Sequence, residues 1–223
     1  MRGRIRHLHA HRFDAPPRDP TLVSDAQALG DPAVLFEALT ADAGARLFSD
    51  GLPGAEAVAR QALAMYRADP SVVVPGEVPG LAHLFNRLHV VTDWHGQLRD
   101  AYRFGAEALV AAGPEAGQGV LLADVFGSEV SLGVVGRATE LYAATGWRTP
   151  FHAPGGRWAE VSIARLLAAQ GSTREAAEWL IDLADAPDSP DLPLVLRWQL
   201  AAWAGLYGVE QGQWDVANRA LAR

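Results

Sequence analysis

Helical periodicity is the feature that most constrains the fold of this chain. Apolar residues recur every three or four positions through nearly all of the sequence, for example at Val58, Ala62, Met65 and Tyr66. That spacing places them on one face of an amphipathic helix. No stretch alternates apolar and polar residues convincingly, and the one β-prone segment, 71–75, is bounded by prolines that favour a loop. The sequence therefore predicts an all-α protein.

Start and stop signals divide the chain into about ten helices. Asp31 is an N-cap followed by proline, and the segment from Ser172 to Glu175 has the pattern of a capping box. Several glycines lie just after helical runs, where the end of a helix favours a residue in the left-handed conformation. The predicted ranges are 20–29, 32–49, 53–68, 79–91, 93–112, 114–127, 132–145, 157–170, 173–185 and 191–208, with a last helix from 213; one more before Phe13 is left open.

Two stretches near the C-terminal end resemble each other when aligned on Gly171 and Gly212. Alanine follows each glycine by five positions, at Ala176 and Ala217. A glycine turn and a small residue allow close packing of two helices, as in a tetratricopeptide-type hairpin. Gly212 lies 41 positions after Gly171, more than the roughly 34 of the regular repeat, so we expect an irregular array. Residues 93–95, followed by Ala101 and Ala106, are a candidate for a third, weaker copy.

These observations predict an α-solenoid built from irregular tetratricopeptide-like helical hairpins. We expect residues 1–223 to form a single helical-repeat domain. Loose subdivisions are predicted near 69–80 and near 146–156, where proline and glycine interrupt the helical pattern.

The composition excludes several classes of function. The 223 residues include no cysteine and no lysine, so all 19 basic residues are arginine. A phosphate-loop lysine, a Schiff-base lysine, a thiolate zinc site and a cysteine nucleophile are therefore absent. The net charge of −7 argues against general nucleic-acid binding, and no apolar run is long enough for a transmembrane helix. Together with the lack of cysteine, this predicts a cytoplasmic protein.

Four stretches resemble the helical region of large ATP-binding regulators of the LuxR type, common in actinobacteria. The N-terminal stretch begins RGRIRHLHAHRF and ends DPAVLFEALTADA; the others are LHVVTDWHGQLRDAYRFGAEALVAAG, RATELYAATG and the terminal GQWDVANRALAR. The resemblance implies a helical-repeat fold that acts as a signal-receiving and interaction surface. It covers most of the chain and depends on helix order and scattered residues.

The chain also departs from that family. It has no GxxxxGK[ST] loop, and it ends at Arg223 inside a hairpin, so we expect neither an ATPase nor a DNA-reading domain in this chain. The segment 127–135 is shorter than the family's corresponding hairpin. The resemblance therefore implies only the middle module of those regulators, with no direct sequence-specific DNA binding.

Aromatic and arginine residues are the best candidates for partner contacts, because such side chains most often anchor interfaces. Trp147, Arg148, Phe151 and His152 lie in a predicted loop that serves either as an interface or as a plug on the chain's own surface. Trp179, Trp198 and Trp214 are predicted to be core residues instead. At the C-terminal end, Val216 and Leu221 belong to an apolar stripe with no following helix to cover it, which predicts self-association or a partner protein.

No motif indicates catalysis or metal binding. His7 and His11 share a helical spacing, but neighbouring arginines repel a cation. His83, His89 and His95 are predicted to be inter-helix hydrogen-bonding or surface residues. Ser128 lacks the glycine of a nucleophile elbow, and Asp182 and Asp185 are predicted to be solvated charges. We therefore expect no catalytic residue, no metal and no cofactor.

Three functional hypotheses follow from the sequence. The first is a non-enzymatic regulatory module that binds a protein partner through its helical-repeat surface. The second is a sensor that binds a small-molecule effector on the concave face of the solenoid. The third and least favoured is an enzyme on a helical scaffold. A groove lined by arginine and asparagine would favour the first, a closed aromatic pocket the second, and a convergent cluster of His, Asp and Glu the third.

The missing nucleotide loop gives a direct test. We predict that the purified chain of 223 residues binds no ATP, because it has neither lysine nor a glycine-rich phosphate loop. Isothermal titration calorimetry with Mg·ATP is the measurement. A saturable heat of binding at micromolar ATP would contradict the prediction.

Overall fold

The fold is entirely helical across the residues that the structure, a computed structural model, describes: 1, 18–49, 51–73, 80–116, 120–145, 157–186 and 194–222. These residues form eleven α-helices and one 3-10 turn and contain no strand. The helices are α1 Leu22–Leu29, α2 Pro32–Ser49, α3 Leu52–Ala68, α4 Gly80–Trp94, α5 Leu98–Ala116, α6 Val120–Ser131, α7 Val135–Ala144, α8 Arg157–Ala169, α9 Thr173–Asp185, α10 Leu194–Glu210 and α11 Trp214–Leu221.

The predicted all-α class is confirmed, and most boundaries agree within a few residues. Asp31 caps α2 as predicted, accepting hydrogen bonds from the amides of Ala33 and Val34 at 2.9 and 3.3 Å. Gly113 breaks α5 with a φ of 72°, close to the predicted end of that helix. The predicted capping box at Ser172 is wrong, because its side chain makes no capping hydrogen bond. The segment before Phe13, where the sequence leaves a further helix open, lies outside the described residues.

One turn recurs in four helical hairpins, α4/α5, α6/α7, α8/α9 and α10/α11. Each has a glycine in the left-handed region, with φ of 72°, 78°, 96° and 66° at Gly96, Gly133, Gly171 and Gly212. The residue after each glycine donates its amide hydrogen to the carbonyl five positions earlier, at 2.8–2.9 Å. This bond and a second one from the glycine amide form the Schellman arrangement that ends a helix.

An alanine follows each of these glycines by five positions and is buried. Ala101, Ala138, Ala176 and Ala217 are 0%, 0%, 0% and 2% exposed. Each donates its amide hydrogen to the carbonyl of the residue after the glycine, so the same unit closes the turn and starts the next helix. The hairpins predicted at Gly171 and Gly212 and the weaker one near residue 95 are confirmed, and the structure adds a fourth at Gly133.

The chain folds into two compact units, Met1–Glu115 and Ala116–Arg223. The boundary between them coincides with neither of the subdivisions predicted near 69–80 and 146–156. In the first unit, Leu22, Ala26, Val34 and Ala38 form a small core between α1 and α2.

Polar side chains are buried where α2 faces α4 in the first unit. A Cβ on Gly44 would lie 2.9 Å from Nε of Arg87, a side chain that is itself 8% exposed. A Cβ on Gly80 would collide with the carboxylate of Glu37. Glycine at these two positions therefore makes room for the charged groups between the helices.

The second unit has a larger core that includes Phe126, Ile163, Leu180 and Leu200. Trp179 belongs to it and is 7% exposed, which confirms its predicted burial. The same prediction is wrong for Trp198 and Trp214, which are 67% and 64% exposed. Both lie on helix faces that the described residues leave in contact with solvent.

The buried alanines generate a stability prediction. Substituting Ala138→Leu should lower the free energy of unfolding by about 1–3 kcal/mol, because extra methylene groups overpack a well-filled contact. Ala143→Leu, on the exposed face of the same helix, is the matched control. Urea denaturation followed by circular dichroism measures both. Equal midpoints for the two variants would contradict a tight contact at the fifth position after the glycine.

Candidate functional site

The sequence-predicted partner residues fall largely outside the part of the chain that the structure describes. Trp147, Arg148, Phe151 and His152 all lie there, as does the side chain of Leu221. Val216 is described, and its predicted exposure is wrong. It is 3% exposed, because the inward face of α11 packs it against α10, where a Cβ on Gly208 would lie 3.2 Å from its Cγ1.

A groove of about 580 Å³ opens between α3, α4 and α5 in the first unit. Its volume falls in the range of roughly 300–1,000 Å³ that is usual for small-molecule sites. Six positions of α5 line it and span about 14 Å at 1.5 Å per residue. The lining side chains are Tyr66, Leu81, Phe85, Tyr102, Arg103, Ala106, Glu107, Val110 and Ala111.

Packed aromatic rings form one wall of this groove. The rings of Tyr66 and Phe85 meet edge to face with centroids 6.3 Å apart, and Phe85 stacks on Phe104 at the same distance. Phe85 and Phe104 are 6% and 1% exposed, so they fix the wall from beneath. Val110 is 82% exposed at the rim. The groove therefore offers a rigid aromatic surface open to solvent.

The charged groups of the groove are unequally paired. Arg103 lies 3.1 Å from Asp100, and its guanidinium sits 4.8 Å from the centre of the Phe104 ring. Glu107 is half-buried, and within the described residues its carboxylate has no ion pair or hydrogen bond. Arg103 lies one helical turn before Glu107 on α5 but pairs with Asp100 instead, so these three charged side chains sum to one negative charge.

Sequence reasoning missed this groove because its aromatic residues also fit a core. Tyr66 belongs to the amphipathic stripe of α3, and Phe85 to that of α4. A local signal exists on α5, where Tyr102, Ala106 and Val110 recur every four positions beside Glu107. Only the packing of the three helices shows that no other described helix of the first unit covers these residues.

An apolar surface also lies on α10 in the second unit. It consists of Trp198, Ala202, Leu206 and Val209, which share one helix face and which we call the α10 surface. Leu206 and Val209 are 46% and 48% exposed. The exposed ring of Trp214 belongs to the following helix. Exposed apolar patches rimmed by polar residues commonly mark interaction sites.

Buried and half-buried polar residues of α6 and α8 connect the helices of the second unit. Glu129 is 2% exposed and lies 2.8 Å from Nε of Arg137 on α7. Arg165 on α8 donates a hydrogen bond to Ser131 of α6 and places its guanidinium 4.9 Å from the centre of the Trp203 ring on α10. Arg165 therefore joins three helices, which is a structural role.

Two of the predicted histidine roles are confirmed, those of His89 and His95. The buried ring of His89 is hydrogen-bonded through Nδ1 to the carbonyl oxygen of Ala101 at 2.9 Å, which joins α4 to α5. His95 lies at the surface, with Nδ1 3.3 Å from the carboxylate of Glu56. His83 is 9% exposed within α4. His7 and His11 lie outside the described residues.

The remaining acid and serine candidates do not form a reactive cluster. Ser128 is buried within α6, and Asp182 and Asp185 are exposed near the end of α9. Among the described residues, no three His, Asp or Glu side chains come close enough together to hold a metal ion.

Comparison with family models, with curated proteins and with solved structures finds no match for this chain. Within the described segments, none of the helices combines the length and the apolar character needed to cross a bilayer.

Tyr207 gives the second unit a measurable pH dependence. Burial raises its pKa to about 12; the positive charge of Arg165 opposes this rise and the negative charge of Glu210 adds to it. The folded pKa exceeds the unfolded value of about 10, so the stabilisation is complete below pH 10 and is lost as the pH rises towards 12. Burial also raises the pKa of Tyr142.

We predict that the unfolding free energy falls between pH 10 and pH 12 by up to about 1.4 kcal/mol per pH unit through Tyr207 alone. The chain contains no lysine or cysteine to obscure this effect. Tyr207→Phe should reduce the slope and leave a smaller one from Tyr142. Urea denaturation at several pH values measures it, and identical slopes for the two proteins would contradict a buried Tyr207 hydroxyl.

Proposed function

We propose that this chain is a non-enzymatic helical-repeat module that binds a protein partner, or a second copy of itself, through the α10 surface. In this proposal its hairpins form an irregular, tetratricopeptide-like α-solenoid. The recurring glycine turn and buried alanine support that arrangement, because repeats built alike can stack alike. In the second unit the contacts join neighbouring hairpins, α6 to α8 and α9 to α10.

The exposure of Trp198 carries the interaction proposal. Its side chain is 67% exposed although it lies on the same helix face as Leu206 and Val209. Tryptophan is among the residues that most often dominate binding energy, and an exposed ring next to other apolar groups favours a binding surface.

The resemblance to the helical region of LuxR-type regulators supports a regulatory role in the cytoplasm of a bacterium. In this proposal the chain receives a signal or a partner, needs no cofactor and does not itself read a DNA sequence. The absence of lysine, and with it of a nucleotide loop, supports the separation of this module from ATP hydrolysis.

A small-molecule effector is the second candidate, favoured by the groove in the first unit. Its aromatic wall and its volume of about 580 Å³ suit a drug-sized ligand. The two candidates use different units of the chain and are therefore tested separately.

We predict that Leu206→Glu and Trp198→Ala weaken binding at the α10 surface. Loss of a buried tryptophan anchor costs about 2 kcal/mol, which is roughly a 30-fold loss of affinity. Analytical ultracentrifugation of the purified protein measures self-association. Affinity purification from the native host, with mass spectrometry, identifies retained partners.

Val134→Glu is the matched control, because Val134 and Leu206 are each 46% exposed in the same unit. The control should keep the association that Leu206→Glu loses. A wild-type protein that stays monomeric at high micromolar concentration, and retains no partner that Leu206→Glu releases, would contradict the proposal.

A further inference from the structure

We infer that the groove between α3, α4 and α5 binds a small organic cation with an apolar body. This inference deepens the second candidate function, since it depends on the groove being a ligand site. It is independent of the α10 surface. Three observations carry it: the aromatic wall, the charge balance and the size of the groove.

The aromatic wall suits a cation. Tyr66 and Tyr102 are half-buried and face the groove with Phe85. The faces of such rings attract positive charge, and the attraction grows when the cation is removed from water. Within the described residues the Tyr66 side chain has no hydrogen-bond partner, so its hydroxyl is available to a ligand.

The charge balance of the groove favours a ligand with a positive charge. Glu107 is half-buried in the lining, one helical turn after Arg103, and its carboxylate has no ion pair with any described residue. Arg103, the other charged residue of the lining, already has Asp100 at 3.1 Å. A cation therefore gains a partner in Glu107, whereas an anion meets an uncompensated carboxylate.

The size of the groove favours a small molecule over a helix of a partner protein. A volume of about 580 Å³ holds a compact ligand of drug size. The lining extends for about 14 Å along α5, which is fewer than three turns of an α-helix. The ligand class is thus a lipophilic ammonium, phosphonium or similar cation with aromatic or alkyl substituents.

Two ions of nearly the same shape and a smaller neutral compound test the sign of the charge. Tetraphenylphosphonium is a cation, tetraphenylborate is an anion, and triphenylphosphine oxide is neutral. Isothermal titration calorimetry with the full chain should show binding of the phosphonium at least tenfold tighter than that of either other probe. Raising the salt concentration should weaken the phosphonium binding alone.

Two variants locate the binding. Glu107→Gln should weaken phosphonium binding by about tenfold, because it removes the uncompensated charge. Glu140→Gln is the matched control; it makes the same change at an exposed position on α7 and should leave binding unchanged. Ala106→Trp should abolish binding by filling the groove, with circular dichroism confirming that it still folds.

The possible outcomes distinguish a failure of the cation preference from a failure of the groove as a ligand site. If the three probes bind with equal affinity and Ala106→Trp abolishes their binding, the groove is a ligand site but the preference for a cation is wrong. Binding of none of the three would overturn both. Phosphonium binding that persists in both Glu107→Gln and Ala106→Trp would overturn the assignment to this groove. Displacement of bound phosphonium by a lysine-rich amphipathic peptide of higher affinity would overturn the choice of a small molecule.

Discussion

The hairpins of this chain depend on a single backbone constraint, the left-handed residue between their two helices. At Gly133 and Gly212 the chain adopts a positive φ that a side chain would strain, and two amide hydrogens then reach back to the carbonyls of the finished helix. The next helix starts at once, so its fifth residue after the glycine faces the first helix at close range. Alanine at that position, as at Ala138 and Ala217, lets the two helices pack together.

Because these constraints are local, the sequence predicted the helices well. Helix α2 has the predicted boundaries, 32–49, since Asp31 and Pro32 fix its start, and α9 likewise spans the predicted 173–185. Side-chain burial was less predictable. Helix α10 is apolar nearly all round, so periodicity cannot decide which face the neighbouring helices cover. Leu196 and Leu200 are in fact buried, whereas Trp198 faces solvent. Val216 is buried because α10, the other helix of its hairpin, covers the face of α11 on which it lies.

The predicted capping box is absent for the same local reason that the glycine turns are present. Ser172 is the residue whose amide bonds back to Leu167, so its backbone conformation belongs to the end of α8 as well as to the start of α9. The hairpin turn fixes that backbone, and the serine hydroxyl makes no capping bond there.

The groove was unpredictable for a different reason. Tyr66 and Phe85 lie on different helices, and their exposure depends on how α5 packs beside both of them. No short-range pattern encodes that packing.

The turn also explains how repeats of such different composition coexist in one chain. Its hydrogen bonds use only backbone groups, so side chains before the glycine are free to vary. Where one hairpin has Val91 and Thr92, another has the buried pair Ser128 and Glu129. The charge of Glu129 is then met by Arg137 across the same turn, so a polar hairpin interior is compensated within the hairpin itself. A scaffold that fixes backbone geometry and leaves side-chain chemistry open can carry an aromatic groove beside one hairpin, where α3 packs against α4 and α5, and an apolar surface on another.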